Sequence, residues 1–230
     1  MFGPKSRDLI KTLSDDNFEN DQFRFGFAKF ITIDGVKIWT QRLSYVGELG
    51  YELYVDLKDA KKIYELLIEK GKDFNLSNCG MHAMDVMRME SGFLHWGHDI
   101  SPEENQYQAG LSFTISDKKN VDFIGKSALE KIKNEKIKTR FAMFTLKNSK
   151  PGEPLLLHDE PIYLEDKIIG RSTSGNYSFN FKKNMTYGYI KNDFSNEKLR
   201  DSKLFIEVEK RKYEIELINK PIKQTNFKTN

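Results

Sequence analysis

Apolar residues in this chain alternate with polar ones in short runs, and recur at helical spacing in only a few places. Residues 27–33 and 36–43 are two alternating runs rich in aromatic and β-branched side chains, separated by Asp34-Gly35. That dipeptide accepts the positive φ angles of a two-residue turn, so the two runs predict a β-hairpin. Residues 51–55 predict another strand. Helical spacing marks Leu9, Ile10 and Leu13, and later Ala60, Ile63, Tyr64 and Leu67. The second of these helices starts at Asp56, three residues before Asp59 in a capping-box-like arrangement, and ends at Gly71. A third runs from an Asn78 cap to about Glu90 and stops near Gly92. Met81, Ala83, Met84, Val86, Met87 and Met89 leave it apolar almost all round, the pattern of a buried helix.

Residues 117–138 are dense in charge, with a short amphipathic helix from about Ser127, and the domain boundary is placed there. Beyond it come six strand-like runs: 140–146, 161–164, 167–173, 186–191, 203–208 and 213–218. They are joined by short turns such as Glu165-Asp166 and 209–212, without intervening helices. This predicts a small antiparallel barrel or sandwich, and an α+β class for the chain.

The chain has 230 residues, 13% of them aromatic and 38% apolar, enough to bury one large core or two modest ones despite 31% charge. A net charge of +3 is small and evenly spread, and each basic run carries acidic residues within it, which argues against a nucleic-acid partner. The single Cys79 excludes an internal disulfide and suits a reducing compartment. No apolar run approaches the ~18 residues of a membrane span, and the start lacks a signal-peptide layout. A soluble, cytoplasmic protein is expected.

Several residues carry candidate chemistry. Glu48 sits in a turn that Gly47 and Gly50 allow to bend sharply, and its carboxylate offers two acceptor oxygens to a ligand with paired donors. A solvated surface glutamate is the alternative. Tyr45 stands three residues earlier, placed to lay its ring on a ligand or to pack at a strand end. Asp85 and Arg88 fall at i, i+3 on one helix face, with His82 one turn before, as a structural clamp or as part of a site. His95, His98 and Asp99 frame Trp96 and invite a metal reading, but no other segment offers a convincing third imidazole or thiolate, so no metal is assigned. Asp99 is also placed to cap Ser101-Pro102. Ser172-Thr173-Ser174-Gly175 reads as the polar turn of a strand bend. Nothing matches a dinucleotide or phosphate loop, so no flavin or NAD site is expected.

The segments SYVGELGYELYV (44–55) and MDVMRMESGFLHWGHDI (84–100) resemble the folate-binding half of the glycine-cleavage T-protein (aminomethyltransferase) family. In particular they resemble the domain at the C-terminal end of dimethylglycine and sarcosine dehydrogenases. Thr173-Ser174-Gly175, Lys183 and Tyr187-Gly188-Tyr189 are similar to the family's pattern in its C-terminal barrel. The resemblance runs from about Phe2 to about Phe227. It implies the C-terminal part of a folate-binding α+β domain over 1–116, a linker with a short helix over 117–138, and a β-barrel over 139–230. It further implies that Glu48 accepts from the ring N–H and amino group of a folate pterin, with Tyr45, Arg88 and Trp96 also at the folate. Asp85, His95, His98 and Asp99 fall in the polar surround. Where the T-proteins carry a first arginine this chain has Met84, and only Arg88 matches the second.

The implied chemistry is folate-dependent one-carbon transfer to tetrahydrofolate. The family's catalytic aspartate precedes the segment seen here and no residue matches it, so the catalytic residue is unassigned. The expected partners are folate and either the missing front half of the domain or a flavin amine dehydrogenase chain. A non-catalytic folate-binding or docking module, and a truncated inactive remnant, stay open beside the transfer reading.

Overall fold

The structure, a computed structural model, describes residues 1–116, 121–224 and 228. Residues 117–120 of the expected linker, and Phe227 at the end of the resemblance, lie outside the described residues. The chain divides into two compact units, Met1–Phe93 together with the segment from Lys223, and Leu94–Ile222. The division falls before the charged stretch in which composition placed a boundary.

In the first unit, helix α1 (Ser6–Lys11) precedes a three-stranded antiparallel sheet of β1 (Ala28–Ile33), β2 (Val36–Gln41) and β3 (Glu52–Tyr54), in that order. The hairpin forms as its turn dipeptide requires, with Asp34 at φ 46° and Gly35 at φ 76°. Alternation then sorts the two faces. Ile31, Ile33 and Ile38 turn inward onto Ile10, Phe18, Phe23, Tyr51 and Ile63. Phe30, Trp39 and Tyr54, aligned across the three strands, turn outward and are 52%, 36% and 52% exposed. The Phe30 and Trp39 rings meet edge-on at 4.9 Å, and the Lys37 ammonium lies 4.5 Å from the Phe30 ring centre.

Helix α2 (Leu57–Gly71) follows, running into a 3-10 turn at Lys72–Phe74, and then helix α3 (Met81–Glu90). Two expected caps are corrected. The Asp56 side chain makes no capping hydrogen bond. Asn78 lies outside α3, where its amide donates to the Tyr64 hydroxyl at 2.7 Å, and the cap position belongs to Gly80. The buried-helix expectation holds for one end only. Met81 is 69% exposed, whereas Arg88, Met89 and Glu90 are buried, so burial rises along the axis toward the C-terminal turn.

The second unit carries helix α4 (Lys126–Lys133) and a closed six-stranded antiparallel barrel. Its strands are β4 (Thr139–Leu146), β5 (Pro161–Leu164), β6 (Lys167–Ser178), β7 (Lys183–Lys191), β8 (Leu204–Val208) and β9 (Arg211–Ile218). The order is β4-β7-β6-β5-β8-β9, and β9 pairs back onto β4, leaving no free sheet edge. Closure settles the choice between barrel and sandwich. A short helix, α5 (Asn196–Arg200), lies between β7 and β8 where an unbroken run of strands was expected. The Ser195 hydroxyl caps it by accepting from the Lys198 N–H, and Leu199 is fully buried in the barrel core with Ile162, Ile190, Leu204, Ile206 and Ile215. Leu199→Ala should therefore destabilise the protein by ~2–5 kcal/mol through the lost contact and the cavity left behind. Ile168→Ala, on the exposed face of β6, should stay within about 0.5 kcal/mol. Urea unfolding of the two variants against wild type measures both.

Candidate functional site

The turn over residues 44–50 has no sheet ladder of its own, and remote segments satisfy its backbone. Gly47 takes φ 67°, the bend its lack of a Cβ permits. Gly50 plays a different part from the one expected. A Cβ there would stand 2.2 Å from Phe2 Cδ1 and 2.7 Å from the Met1 carbonyl, so the residue is small to admit the N-terminal segment. The Leu49 carbonyl accepts from Gly3 N–H at 2.8 Å and Ser6 Oγ at 3.0 Å. Glu48 N–H donates to Ser44 Oγ at 3.0 Å, and the Val46 carbonyl accepts from Ser91 Oγ at 3.2 Å. Lys223 closes the set: its ammonium lies 2.5 Å from Glu48 Oε1 and 3.3 Å from the Val46 carbonyl. Oε2 of Glu48 takes no hydrogen bond among the described residues, and the side chain is 28% exposed.

The buried end of α3 joins this turn. Arg88, 1% exposed, gives Nε to Asp85 Oδ1 at 2.7 Å and Nη1 to the Phe93 carbonyl at 3.1 Å. The Phe93 ring stacks on Tyr45, with centroids 6.2 Å apart and planes 23° from parallel. Tyr45, Glu48, Asp85 and Arg88 are thus brought into one connected network through Phe93, Ser91 and Lys223. His82, one turn before Asp85, is exposed and outside it. Asp85 is 32% exposed, so the pair is buried on the arginine side alone.

The remaining candidates belong to the second unit. His95 to Ile100 fold into a tight loop, with Gly97 at φ 91° and its N–H on the Ile100 carbonyl at 2.8 Å. Asp99 is fully buried at its centre, and Ser101 N–H, which Asp99 was also placed to cap, donates to Glu104 Oε2 at 2.8 Å. Asp99 Oδ2 accepts from His95 N–H at 2.9 Å, while Oδ1 accepts from Thr173 Oγ1 at 2.5 Å and Ser174 Oγ at 2.8 Å. Adjacent strand residues ordinarily face opposite ways. Here β6 carries a bulge between Ser172 and Ser174, whose one extra residue lets both hydroxyls reach the same carboxylate. The Ser/Thr stretch is a bulged strand that clasps the loop, which corrects its reading as a turn. Tyr189 Oη adds a bond to the Asp99 carbonyl at 2.8 Å. Burial first, then nearby Glu104 and Asp99, push its phenol pKa well above 10.0. Trp96 is 66% exposed, and the His95 and His98 rings lie 4.6 Å apart. Among the described residues no group of three or more His, Cys, Asp or Glu is arranged to hold a metal ion.

Both halves of this description meet known family models. Residues 1–119 match the GCVT N-terminal domain, and residues 140–223 match the glycine cleavage T-protein C-terminal barrel domain. The chain belongs to the glycine cleavage T-protein family. Among curated relatives, a 4-methylaminobutanoate oxidase (formaldehyde-forming) of Paenarthrobacter nicotinovorans is 38% identical over 77% of this chain and 21% of its own length. Human mitochondrial dimethylglycine dehydrogenase is 31% identical over 83% of this chain and 22% of its own length. An aminomethyltransferase of Alkaliphilus metalliredigens is 31% identical over 99% of this chain and 60% of its own. This T-protein family member therefore spans only part of each of these relatives. The crystal structure of aminomethyltransferase T from Bartonella henselae shares the fold, with a TM-score of 0.74 over 88% of this chain and 53% of that one, at 20% identity.

Sequence reasoning missed Lys223, Ser91 and Phe93, and it quoted Thr173, Ser174 and Tyr189 without their partner. The bulge hydroxyls had a signal, because they lie in the barrel pattern of the family. Lys223 had none, being 175 residues from Glu48.

Two predictions follow from the two clasps. Removing Asp85 takes the ion-pair partner from the buried Arg88 and should destabilise the protein by ~1–3 kcal/mol, whereas removing Arg88 takes a donor from a partly exposed carboxylate and should cost less. Replacing both by leucine should be milder than the worse single change, as a double-mutant cycle in urea would measure. The phenol of Tyr189, held protonated in the folded state, contributes stability that is complete below the unfolded value of 10.0 and is lost as pH rises above it. Melting temperature should therefore fall more steeply above pH 10 in wild type than in Tyr189→Phe.

Proposed function

We propose that this chain serves folate-dependent one-carbon transfer, as the C-terminal portion of an aminomethyltransferase-like protein related to the dimethylglycine and sarcosine dehydrogenases. The observation that supports this best is Glu48, with one carboxylate oxygen held by Lys223 and the other without a hydrogen bond among the described residues. A pterin edge presents a ring N–H beside an amino group, and an ionised carboxylate accepts from both. The acceptors therefore fit the ligand. Tetrahydrofolate, when bound, supplies the nitrogens that receive the carbon unit. Glu48 anchors the pterin, the Tyr45–Phe93 stack offers an aromatic flank, and the Asp85–Arg88 pair holds the end of α3 that carries Ser91 to the turn. Trp96, His95, His98 and Asp99, for which the resemblance implies a polar surround, are carried by a loop of the second unit. On this reading the chain works in the cytoplasm, and its protein partner is the family's front half or a flavin amine dehydrogenase chain. The charged stretch 117–138 is kept as the linker between folate domain and barrel.

The exposed row of Phe30, Trp39 and Tyr54 favours a second reading, in which the chain is a folate-binding or docking module covered by its partner. Contiguous exposed aromatics of this kind mark an interaction surface. The two readings share the Glu48 anchor and differ in turnover once the partner is supplied.

Glu48→Gln should weaken tetrahydrofolate binding by ~1.5–3 kcal/mol, the worth of a hydrogen bond to a charged group, and should also lower the melting temperature, because the largely buried Lys223 ammonium loses its counter-charge. Calorimetric titration and thermal melting on the same preparation test this. Equal affinity in wild type and variant would remove Glu48 from the site. The isolated chain should also bind a hydrophobic dye, and Phe30→Ser with Trp39→Ser should abolish most of that signal.

A further inference from the structure

We propose that Lys223 is a positioning residue for Glu48, holding its carboxylate in the orientation that receives the ligand. The inference rests on the folate reading above and adds to it a residue from the far end of the chain. After the barrel closes with β9, the chain rejoins the first unit at Lys223, whose backbone N–H donates to the Glu90 carbonyl at 2.9 Å. That bond ties the residue to the last turn of α3. Its side chain is only 11% exposed, an unusual burial for a lysine, and its ammonium divides between the Val46 carbonyl and Glu48 Oε1. Both acceptors lie in the 44–50 turn, two residues apart.

The geometry has a chemical consequence. A carboxylate offers about four lone-pair directions, and the lysine uses one of them. Oε2 and the second lone pair of Oε1 are left for a ligand with two adjacent donors. A free glutamate must be ordered when it binds, whereas one already pinned at Oε1 loses little further freedom. Lys223 also offsets the negative charge of a carboxylate that is largely withdrawn from water, so the anion persists in the site without needing the ligand as its counter-charge. An ammonium suits this role because it contacts a single oxygen, whereas a guanidinium fork tends to take both.

The test is a titration of wild type, Lys223→Met, Lys223→Gln, Glu48→Gln and the Lys223→Met/Glu48→Gln double variant with tetrahydrofolate, alongside their melting curves. Lys223→Met should weaken binding by roughly tenfold or more, in line with the loss of a charge-assisted contact. Lys223→Gln, which keeps a donor without the charge, should fall between Met and wild type and serves as the second variant if Met fails to fold. In the Glu48→Gln background, Lys223→Met should change affinity less than about twofold, because a residue that acts through Glu48 has nothing left to position. A lysine that merely stabilised the fold would lower the melting temperature without this dependence on Glu48. Wild type that binds tetrahydrofolate together with a Lys223→Met variant of equal affinity would overturn the positioning role and leave the folate reading standing. An equal loss in both backgrounds would overturn action through Glu48. Wild type that fails to bind would overturn the folate reading, and this inference with it.

Discussion

A turn outside any sheet must find partners for its peptide groups elsewhere, since buried N–H and C=O groups left unpaired cost more than most side-chain contacts return. The turn over 44–50 meets that demand with distant pieces of chain. The N-terminal segment holds Leu49, the end of α3 holds Val46, and the C-terminal segment holds Val46 and Glu48 together. Everything proposed for this site depends on that arrangement. On the proposed reading Glu48 serves as an anchor, and the backbone beneath it is held by hydrogen bonds from three remote segments.

The second unit solves a related problem for a side chain. Asp99 is fully buried, and a buried carboxylate without donors is strongly disfavoured. Besides the His95 N–H, its donors include two hydroxyls from a strand that would, if regular, offer only one side chain to that face. The bulge in β6 supplies the second, so an irregularity in the barrel is the means by which a neighbouring loop is held. Trp96, His95 and His98 are displayed by a loop whose shape is set from its middle, by Asp99, rather than from its ends.

How much of this was legible beforehand depended on how local its cause was. The Asp34-Gly35 hairpin was readable because two adjacent residues decide it. The six barrel strands were readable because each carries its own β-branched and aromatic run between turn residues. Helix α5 was not, because five residues are too few to show a period, and only Ser195 before it gave a hint. Asp56 holds the N-cap position expected of it, though without a side-chain capping bond, whereas the Asn78 cap was misread because the hydroxyl of Tyr64 competed successfully for the side chain. At the site, Glu48 stood out through its glycine-flanked turn and the family resemblance. Lys223 did not, since pairing between residues so far apart leaves no periodic trace. Asp99 and its hydroxyl donors were each noticed, but composition does not say that a bulge will join them.

The first unit is assembled from two stretches of sequence with the whole barrel between them. During synthesis its sheet and helices emerge first, yet the Glu48 turn lacks its lysine until every barrel strand has been made. Local segments that form early give speed, and closing a contact across so long an intervening stretch is slow unless that stretch has already compacted. Barrel synthesis thereby precedes the Lys223–Glu48 contact in the other unit. A substitution that delays β4–β9 would be felt at Glu48, in a unit it does not belong to, as a site that matures late.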